Sequence, residues 1–412
     1  NEKMARLPGF ADIHPLQPQK TVQGALELID RLAHWLKVLT GLPAVAMSPK
    51  AGAHGELCGL MTIKKAIEAR GEKRARILVP ESAHGTNPAT AAAIGMTVDA
   101  IPATPRGRVD VTALKAKLGG DIAGVMVTNP NTCGLFEDEV LEIANAIHGA
   151  GGYFYCDGAN FNAIVGRVRP GDLGVDAMHI NLHKTFSTPH GGGGPGAGPV
   201  VLSAALAPHA PVPYVMHDQK GFHLVERVAD AKGNDPFGRM TAFHGQMGMF
   251  VRALSYMMSH GSDGLRLVAE DAVLNANYVL ASLKDVMSAP FGSTGPCMHE
   301  ALFDDTFLKD TGVTTLDVAK ALIDEGYHPM TVYFPLVVHG AMLIEPTETE
   351  SKETLDRFIA AMRGLAMAAK GNDKSRFTGA PHFAPRARLD ETRAARAPVL
   401  RWSPAKPAEA AE

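Results

Sequence analysis

Seven short apolar runs alternate with amphipathic segments between residues 44 and 203, and this alternation restricts the possible folds more than any other feature. Segments such as Glu56–Arg70 and Glu137–Gly149 place apolar residues three and four apart, as helices that cover a sheet do. The pattern predicts an α/β fold with a seven-stranded, mostly parallel sheet. The predicted strands are Ala44–Met47, Arg76–Pro80, Thr97–Pro102, Ile122–Thr128, Tyr153–Cys156, Met178–Asn181 and Val200–Ser203.

The pattern changes outside this region. Apolar residues at helical spacing end at Gly41, which predicts a long N-terminal helix. A Met-rich helical pattern in residues 245–285 predicts a connecting helix pair whose methionines belong to the core. The tail is basic and rich in Ala and Pro, so we expect it to be mostly disordered or loosely docked. The predicted units are an N-terminal arm and helix (1–43), a large domain (44–285), a smaller α+β domain (286–370) and the tail (371–412).

Charge and cysteine content narrow the function classes. The net charge of -3 provides no field for nucleic acid or an anionic membrane, and no run approaches the ~20 apolar residues of a membrane span. The four cysteines form no CxxC pair, so we expect neither a zinc site nor a disulfide framework, and we expect a cytoplasmic protein. The chain begins with Asn1 rather than Met, and we expect an upstream segment to be missing.

Five polar loops follow predicted strands, at the sheet edge where ligands bind in folds of this class. In the first, glycines beside Ala53 and His54 let backbone N–H groups converge on an anion, although an ordinary strand-to-helix turn fits equally well. In the second, His84 is either a structural residue or a ring that lies against an aromatic cofactor. The loops are Ser48–Glu56, Glu81–Pro88, Thr128–Gly134, Cys156–Asn160 and Asn181–Gly198.

The other loops supply an acid and an amine. Asp157 follows a very apolar strand and is costly to bury without a partner. Lys184 lies at a strand end ahead of four successive glycines, and an apolar setting there would prepare it for Schiff-base chemistry, whereas a surface salt bridge is the alternative. His179 and His183 lack a nearby acidic ligand, so no metal site is expected. Amine, acid, flat His and anion site together match pyridoxal phosphate, which needs an imine-forming lysine, an acid at its pyridine nitrogen and a phosphate cradle.

The motifs resemble those of fold type I (aspartate aminotransferase-like) pyridoxal-phosphate enzymes. They are more closely similar to the glycine decarboxylase family, the P-protein of the glycine cleavage system, in its C-terminal half or subunit 2. The resemblance covers about residues 1–370. The motifs that carry it are Leu7-Pro8-Gly9-Phe10, His14-Pro15, Gly52–Glu56, Ser82–Pro88, Asp157–Asn160, His183–Gly198, Tyr327-His328-Pro329, Tyr333-Phe334-Pro335 and Glu345-Pro346-Thr347-Glu348.

The resemblance implies a role for each candidate residue. Lys184 binds the cofactor covalently, Asp157 pairs with the pyridinium nitrogen, and His84 stacks on the ring, so that Lys184 and His84 are the catalytic candidates. The remaining cofactor-binding candidates are the backbone of Ala53 and His54 with the side chains of Thr86 and His183 for the phosphate, Thr128 or Asn129 for the ring hydroxyl, and Asn160.

The resemblance also implies a reaction and partners. The reaction is glycine decarboxylation with transfer of the aminomethyl group to the lipoyl arm of H-protein, which requires an open channel. The partners are glycine, lipoylated H-protein and a homologous subunit 1 in a two-plus-two heterotetramer. Family members also carry an N-terminal segment of Ser-Cys-Thr-Met-Lys type that this sequence lacks.

Two alternatives stay open. A cysteine desulfurase or an aldol-type lyase of the same fold would also use the His183-Lys184 pair, but no cysteine lies in an obvious mobile loop. A non-catalytic scaffold subunit would be expected to lose Lys184, which this chain retains.

Overall fold

A seven-stranded sheet forms the centre of the computed structural model, which describes residues 1–189 and 195–404. The strand order is β1-β7-β6-β5-β4-β2-β3, and only β7 runs antiparallel to its neighbours. The prediction of a mostly parallel sheet is therefore confirmed. The strands are β1 (Ala44–Ala46), β2 (Arg76–Pro80), β3 (Thr97–Ile101), β4 (Ile122–Thr128), β5 (Tyr153–Gly158), β6 (Ala177–Ile180) and β7 (Val200–Leu202).

Strand β5 is longer than the sequence predicts. It continues through Asp157, which pairs in register with Thr128 of β4 and His179 of β6. The sequence predicts that Asp157 follows the strand, whereas in the structure Asp157 lies within the ladder. The reason is that backbone pairing with two neighbouring strands holds the chain extended beyond the apolar run.

Both faces of the sheet are covered by helices, as a parallel sheet requires. Along β4 the side chains alternate, since Val125 packs on the face covered by α2 (Gln23–Thr40) and α8 (Met247–Leu283) while Met126 packs on the face covered by α3 (Gly52–Ala69). The helices of this part are α1 (Glu2–Ala5), α2 (Gln23–Thr40), α3 (Gly52–Ala69), α4 (Thr86–Ala93), α5 (Val111–Ala116), α6 (Val140–Gly149), α7 (Leu182–Thr185) and α8 (Met247–Leu283).

Helix α8 is the predicted connecting helix pair. Its two halves meet at Gly261, whose backbone (φ 64°, ψ −173°) is not helical. Met249 and Met257 are buried in the core, whereas Met258 is exposed. The second half packs into the smaller unit through Ala276 and residues that follow it, so that the core of this unit begins before residue 286.

The smaller unit combines an antiparallel sheet with two helices, as the sequence predicts for an α+β domain. Its strand order is β10-β12-β11, and its core contains Phe303, Leu322, Ile344 and Leu365. The elements are β10 (Ala301–Phe303), α9 (Thr315–Asp324), β11 (Thr331–Val332), β12 (Met342–Ile344) and α10 (Lys352–Lys370).

Two further segments pack on these units. A hairpin of β8 (Tyr214–Asp218) and β9 (Gly221–Val225), which the sequence analysis did not predict, is joined to α2 by hydrogen bonds between Gln23 and the backbone of Phe222. The start of the tail packs on the smaller unit, where Phe377 is buried and Arg388 pairs with Asp317 at 2.6 Å. The prediction of a disordered tail therefore does not hold for the start of the tail, which is packed against the smaller unit.

The tail also contains α11 (Glu391–Arg396). Over the described ranges 1–189 and 195–404, no helix combines the length and apolar character that crossing a membrane requires.

Candidate active site

The five predicted loops meet at one edge of the central sheet. Strands β1, β2, β4, β5 and β6 run in the same direction, so their carboxyl ends lie side by side. The edge also collects buried polar atoms without a hydrogen-bond partner among the described residues, including Ser48 Oγ, Thr128 Oγ1 and the Asn129 side-chain nitrogen. Buried polar groups are normally paired, which marks this edge as a place for a polar ligand.

Asp157 is buried, with 3% of the residue exposed, and is fully surrounded by donors. Asn87 Nδ2 donates to Oδ2 at 3.0 Å, the backbone N–H of Ala159 donates to Oδ1 at 2.9 Å, and His179 Nε2 lies 3.3 Å from Oδ1. Burial raises the pKa of a carboxyl, but these partners and the charge of Lys184 together hold the pKa of Asp157 below its usual value. Asp157 is therefore a buried negative charge.

His179 links Asp157 to a second buried side chain, a connection that sequence reasoning missed. The hydroxyl of Tyr155 and Nδ1 of His179 are 2.5 Å apart, and both side chains are buried. The period of the strands places Tyr155 and Asp157 on the same face of β5, and this spacing could have suggested the contact. The Tyr155–His179–Asp157 chain fixes the orientation of the carboxylate.

Lys184 lies on the short helix α7, directly after β6. Its charge lowers the pKa of Asp157 and opposes the raised pKa of Glu300 and of Glu345, so all three carboxyls lie within its electrostatic reach. The expectation of an apolar setting for Lys184 is wrong for this chain alone, because the side chain is exposed and its charged neighbours are carboxyls.

The first loop opens α3 without a side-chain cap. Ala53 and His54 are in the first helical turn, where backbone N–H groups have no partner within the helix. The end of the glycine-rich stretch packs closely on this loop, since a Cβ at Gly198 would lie 2.2 Å from the carbonyl oxygen of Ala51 and Gly198 N donates to Pro49 O at 3.0 Å. The contact leaves the start of α3 in position to bind an anion.

Part of the predicted glycine run, Gly191–Gly194, lies outside the described residues.

His84 and Thr86 form a small network at the start of α4. The hydroxyl of Thr86 lies 2.8 Å from His84 Nδ1 and donates to Glu56 Oε1 at 2.7 Å. The ring of His84 is exposed and contacts Phe334 of the smaller unit edge-on, with 5.7 Å between centroids. Thr86 therefore connects His84 to the buried Glu56 of α3.

The remaining predicted residues also line this edge. Asn129 Oδ1 accepts a hydrogen bond from the backbone of Glu137 at 3.1 Å, and Asn160 Nδ2 donates to Pro130 O at 3.1 Å. His183, on α7, has Nε2 at 3.3 Å from the side-chain nitrogen of Asn181. Of the ten predicted residues, Thr128 and Asp157 thus lie at the ends of β4 and β5, and the other eight lie in the loops or short helical turns at the carboxyl edge.

The smaller unit contributes three side chains that the sequence analysis did not assign to the site. They are His299, Glu300 and Glu345, whose nitrogen and oxygen atoms lie within 4.8 Å of one another. Nitrogen and carboxylate donors at this spacing could hold a metal ion, but the positive charge of Lys184 opposes a cation there. His299 and Glu300 are adjacent in the sequence but lie far from Glu345, and the motif that begins at Glu345 was quoted for the resemblance without a role at the site.

All four cysteines are buried and free. Burial raises the pKa of each of Cys58, Cys133, Cys156 and Cys297 to about 12. Because the thiolate is the reactive form, these side chains are not prepared to act as nucleophiles.

Comparison of the sequence with known proteins gives matches to two protein families. Residues 268–379 match the family described as glycine dehydrogenase, C-terminal domain, and residues 55–194 match aminotransferase class-V. A probable glycine dehydrogenase (decarboxylating) subunit 2 from Caulobacter vibrioides is 73% identical over 405 residues, covering 98% of this chain and 77% of the relative. The protein of the same name from Exiguobacterium sibiricum is 52% identical and covers 98% and 81%.

A solved structure has the same fold. The crystal structure of a glycine decarboxylase (P-protein) of the glycine cleavage system, in an inhibitor-bound form, superposes with a TM-score of 0.74 at 23% identity. The match covers 88% of this chain and 81% of that chain. The likeness confirms the predicted fold type I, aminotransferase-like architecture.

Proposed function

This chain belongs to the glycine dehydrogenase (decarboxylating) subunit 2 family of the glycine cleavage system, and from that we propose how its site works. It decarboxylates glycine with pyridoxal phosphate bound at Lys184, and the aminomethyl group passes to the lipoyl arm of H-protein. The observation that carries the proposal is the buried, ionised Asp157 within electrostatic reach of Lys184, beside the uncapped start of α3.

The residues at the sheet edge fit this cofactor. Lys184 supplies the amine, and the first turn of α3 at Ala53 and His54 supplies backbone donors for a phosphate, with Thr86 and His183 beside it. Thr128 Oγ1 and the Asn129 side-chain nitrogen are buried without partners among the described residues, and a ring hydroxyl would satisfy them. Asn160 completes the set. When bound, the cofactor supplies an electron sink for the carbanion that decarboxylation leaves.

The chain's own residues prepare the site for that chemistry. Asp157 holds a fixed negative charge that stabilises a positive charge placed against it, and His179 and Asn87 keep it ionised and oriented. His84 offers an exposed ring face between the sheet edge and the smaller unit. Lys184 remains open to the surroundings, which suits a substrate and a carrier arm that enter from outside.

We further propose that the chain works with a homologous subunit 1 in a two-plus-two heterotetramer and with lipoylated H-protein. The name of the relatives, subunit 2, supports a partner subunit. Exposed apolar side chains on the N-terminal arm, Leu7 and Leu16, support a surface that a partner covers. A cytoplasmic location is supported by four cysteines that are free and form no disulfide.

Two measurements test the proposal. The purified protein is expected to be yellow, borohydride should fix the cofactor to the chain, and Lys184→Ala should remove both properties. With subunit 1 and H-protein present, labelled bicarbonate should exchange into the carboxyl group of glycine. A colourless wild-type protein that takes up no pyridoxal phosphate would overturn the cofactor assignment, and exchange into a different amino acid would overturn the substrate.

The cysteine desulfurase alternative finds no support in the structure. That reaction needs a cysteine thiolate near the cofactor, whereas burial raises the pKa of all four thiols to about 12. A non-catalytic scaffold role is opposed by Lys184 and Asp157, which are both present and within electrostatic reach of each other.

A further inference from the structure

Two glutamates of the smaller unit, Glu300 and Glu345, have carboxylate oxygens within 4.8 Å of each other, and the charge of Lys184 acts on both. Glu300 precedes β10 and Glu345 follows β12, and these strands pair antiparallel with Ala301 opposite Ile344. The glutamates therefore continue the ladder as an opposed pair, hereafter the Glu300–Glu345 pair. Like charges opposite each other destabilise a sheet, so a pair of this kind needs an explanation.

The neighbours of the pair do not neutralise it. Asn160 Nδ2 donates to Glu300 at 3.4 Å and Asn162 Nδ2 donates to Glu345 at 3.1 Å, but both donors are uncharged. His299 is 1% exposed, and its Nε2 lies 3.9 Å and 3.8 Å from the two carboxylates. Burial, and then Lys184, lower the pKa of His299 to about 3, so this ring carries no charge at neutral pH.

The two carboxyls differ in exposure, and this difference assigns the proton. The Glu300 side chain is 12% exposed, and burial followed by the charge of Glu345 raises its pKa to about 8. The Glu345 side chain is 40% exposed; burial raises its pKa as well, but Lys184 and the hydrogen bond from Asn162 oppose that rise, so the more exposed carboxyl of the two is the one that holds the charge. At neutral pH the pair therefore carries one proton and one negative charge.

Few other titratable groups influence the pair. Glu348 lies beside Glu345 and raises its pKa further. Cys133 lies near Glu300, but its own pKa is raised to about 12 and the thiol stays neutral. Within residues 1–189 and 195–404, Lys184 is therefore the cation that acts on both carboxyls.

Building on the proposed function, we propose that the Glu300–Glu345 pair holds one proton next to Lys184 and exchanges a proton with the amino group of the α-amino acid substrate. An amino acid arrives as an ammonium ion, whose nitrogen has no free electron pair. One N–H bond of the ammonium breaks and one O–H bond forms on the ionised carboxylate of the pair. No electrons leave the system. The pair then carries two protons and no charge, and it returns to its one-proton state when it gives one proton to solvent or to Lys184 in its neutral amine form, since a charged ammonium cannot accept a proton.

The test uses the full chain with its partner subunit. Infrared absorbance of protonated carboxyl groups is recorded against pH for the wild type, Glu300→Gln and Glu345→Gln. Glu350→Gln is the control, because Glu350 is exposed and outside the site. The wild type and the control should show a carboxyl that titrates near pH 8, as the raised pKa of Glu300 to about 8 requires, and Glu300→Gln should lack it.

The second readout is the rate at which glycine changes the absorbance of the cofactor-loaded protein, as a function of pH. In Glu300→Gln this rate should fall by at least ~100-fold, the lower end of the range for a lost proton-transfer group, and the pH dependence near the midpoint should disappear. Unchanged rates and an unchanged pH profile, or two carboxyls that are fully ionised at neutral pH, would overturn the proposal.

Glu345→Gln keeps the test decisive if Glu300→Gln does not fold. Removal of the opposing charge should lower the titration midpoint of Glu300 by about one pH unit, and an unchanged midpoint contradicts a shared proton. Borohydride fixation at Lys184 separates the two proposals. If the wild type fixes no cofactor, the proposed function fails, whereas the infrared titration still decides whether the pair holds a proton.

Discussion

Asp157 and Glu300 are both buried carboxyls on which the charge of Lys184 acts, yet at neutral pH Asp157 is ionised and Glu300 keeps its proton. Burial acts first on both, and it raises the pKa of each group. For Asp157, His179, Asn87 and a backbone N–H overcome burial, and the pKa is lowered. For Glu300 the next influence is the like charge of Glu345, and the pKa is raised to about 8.

The comparison shows that the partner, rather than the depth of burial, decides whether a buried acid is ionised. The large domain surrounds its carboxylate with donors on every side, whereas the smaller unit places two acids opposite each other. The charge of the same lysine therefore acts on a permanent negative charge and on a carboxyl that retains its proton. The following substitutions test the two halves of this comparison separately.

The largest effect is expected for Asp157→Asn. The amide keeps the size of the side chain but cannot hold a negative charge, so glycine-dependent bicarbonate exchange should fall by at least ~100-fold. The measurement is the exchange rate at saturating glycine. Asp172→Asn is the control, since Asp172 pairs with Arg169 at an exposed site. A loss smaller than tenfold would show that the charge of Asp157 is not needed.

The two acids should also change the free energy of unfolding in different pH ranges. A raised pKa means that folded Glu300 binds a proton that the unfolded chain, with a pKa of about 4.3, has already lost. The free energy of unfolding should therefore fall as pH rises from about 4.3 toward about 8, by up to about 1.4 kcal/mol per pH unit from this group. The contribution of Asp157, whose pKa is lowered, is lost instead as pH falls below about 3.9.

Urea unfolding at a series of pH values checks this. Glu300→Gln should make the decline between about pH 4.3 and about pH 8 shallower, with the remainder coming from other buried acids such as Glu137, whose pKa burial raises to about 7, and it should leave the acid decline. Glu350→Gln should retain both declines in full. If the two variants give parallel curves, the raised pKa of Glu300 makes no contribution to stability.

A smaller effect is expected for Gly198→Ala. Its Cβ would lie 2.2 Å from the carbonyl oxygen of Ala51, so the start of α3 must move. The expected cost is ~1–3 kcal/mol of unfolding free energy together with weaker pyridoxal-phosphate binding. Gly120→Ala is the matched control, because no atom lies within 4 Å of a Cβ there. Equal cofactor affinity in both variants would show that the start of α3 does not bind the phosphate of the cofactor.

The smallest effect on stability is expected for Thr128→Val. Its buried hydroxyl has no partner among the described residues, so the free energy of unfolding should change by less than ~0.5 kcal/mol while cofactor binding weakens. Thr62→Val provides the contrast, since Thr62 Oγ1 donates to Cys58 O at 2.8 Å and its loss should cost ~1 kcal/mol. Thermal unfolding with and without cofactor measures both.

Much of the central sheet follows from local pattern. All seven predicted strands exist, and β2 and β4 have the predicted bounds. The reason is that a strand buried on both faces is a continuous apolar run, which can be recognised from its composition alone. The end of β5 and the hairpin of β8 and β9 were missed. Asp157 breaks the apolar run, and the hairpin depends on hydrogen bonds between Gln23 and a segment 199 residues away.

The candidate site divides in the same way. Residues that follow strands, such as Lys184 and His84, were found because the topology places them at one edge. His179 as a partner of Asp157, and the whole Glu300–Glu345 pair, were not found. Their contacts cross between strands or between units, and no spacing in the sequence records them.

By itself the sequence determined the order of strands and helices, the edge at which the chemistry collects and the residue types available there, because these depend on local periodicity and strand direction. Only the tertiary structure decided which acid is charged and which keeps its proton. Asn87 reaches Asp157 across 70 residues, and Glu300 meets Glu345 through the pairing of β10 with β12. Protonation depends on distances between such groups, and these distances exist only in the folded chain.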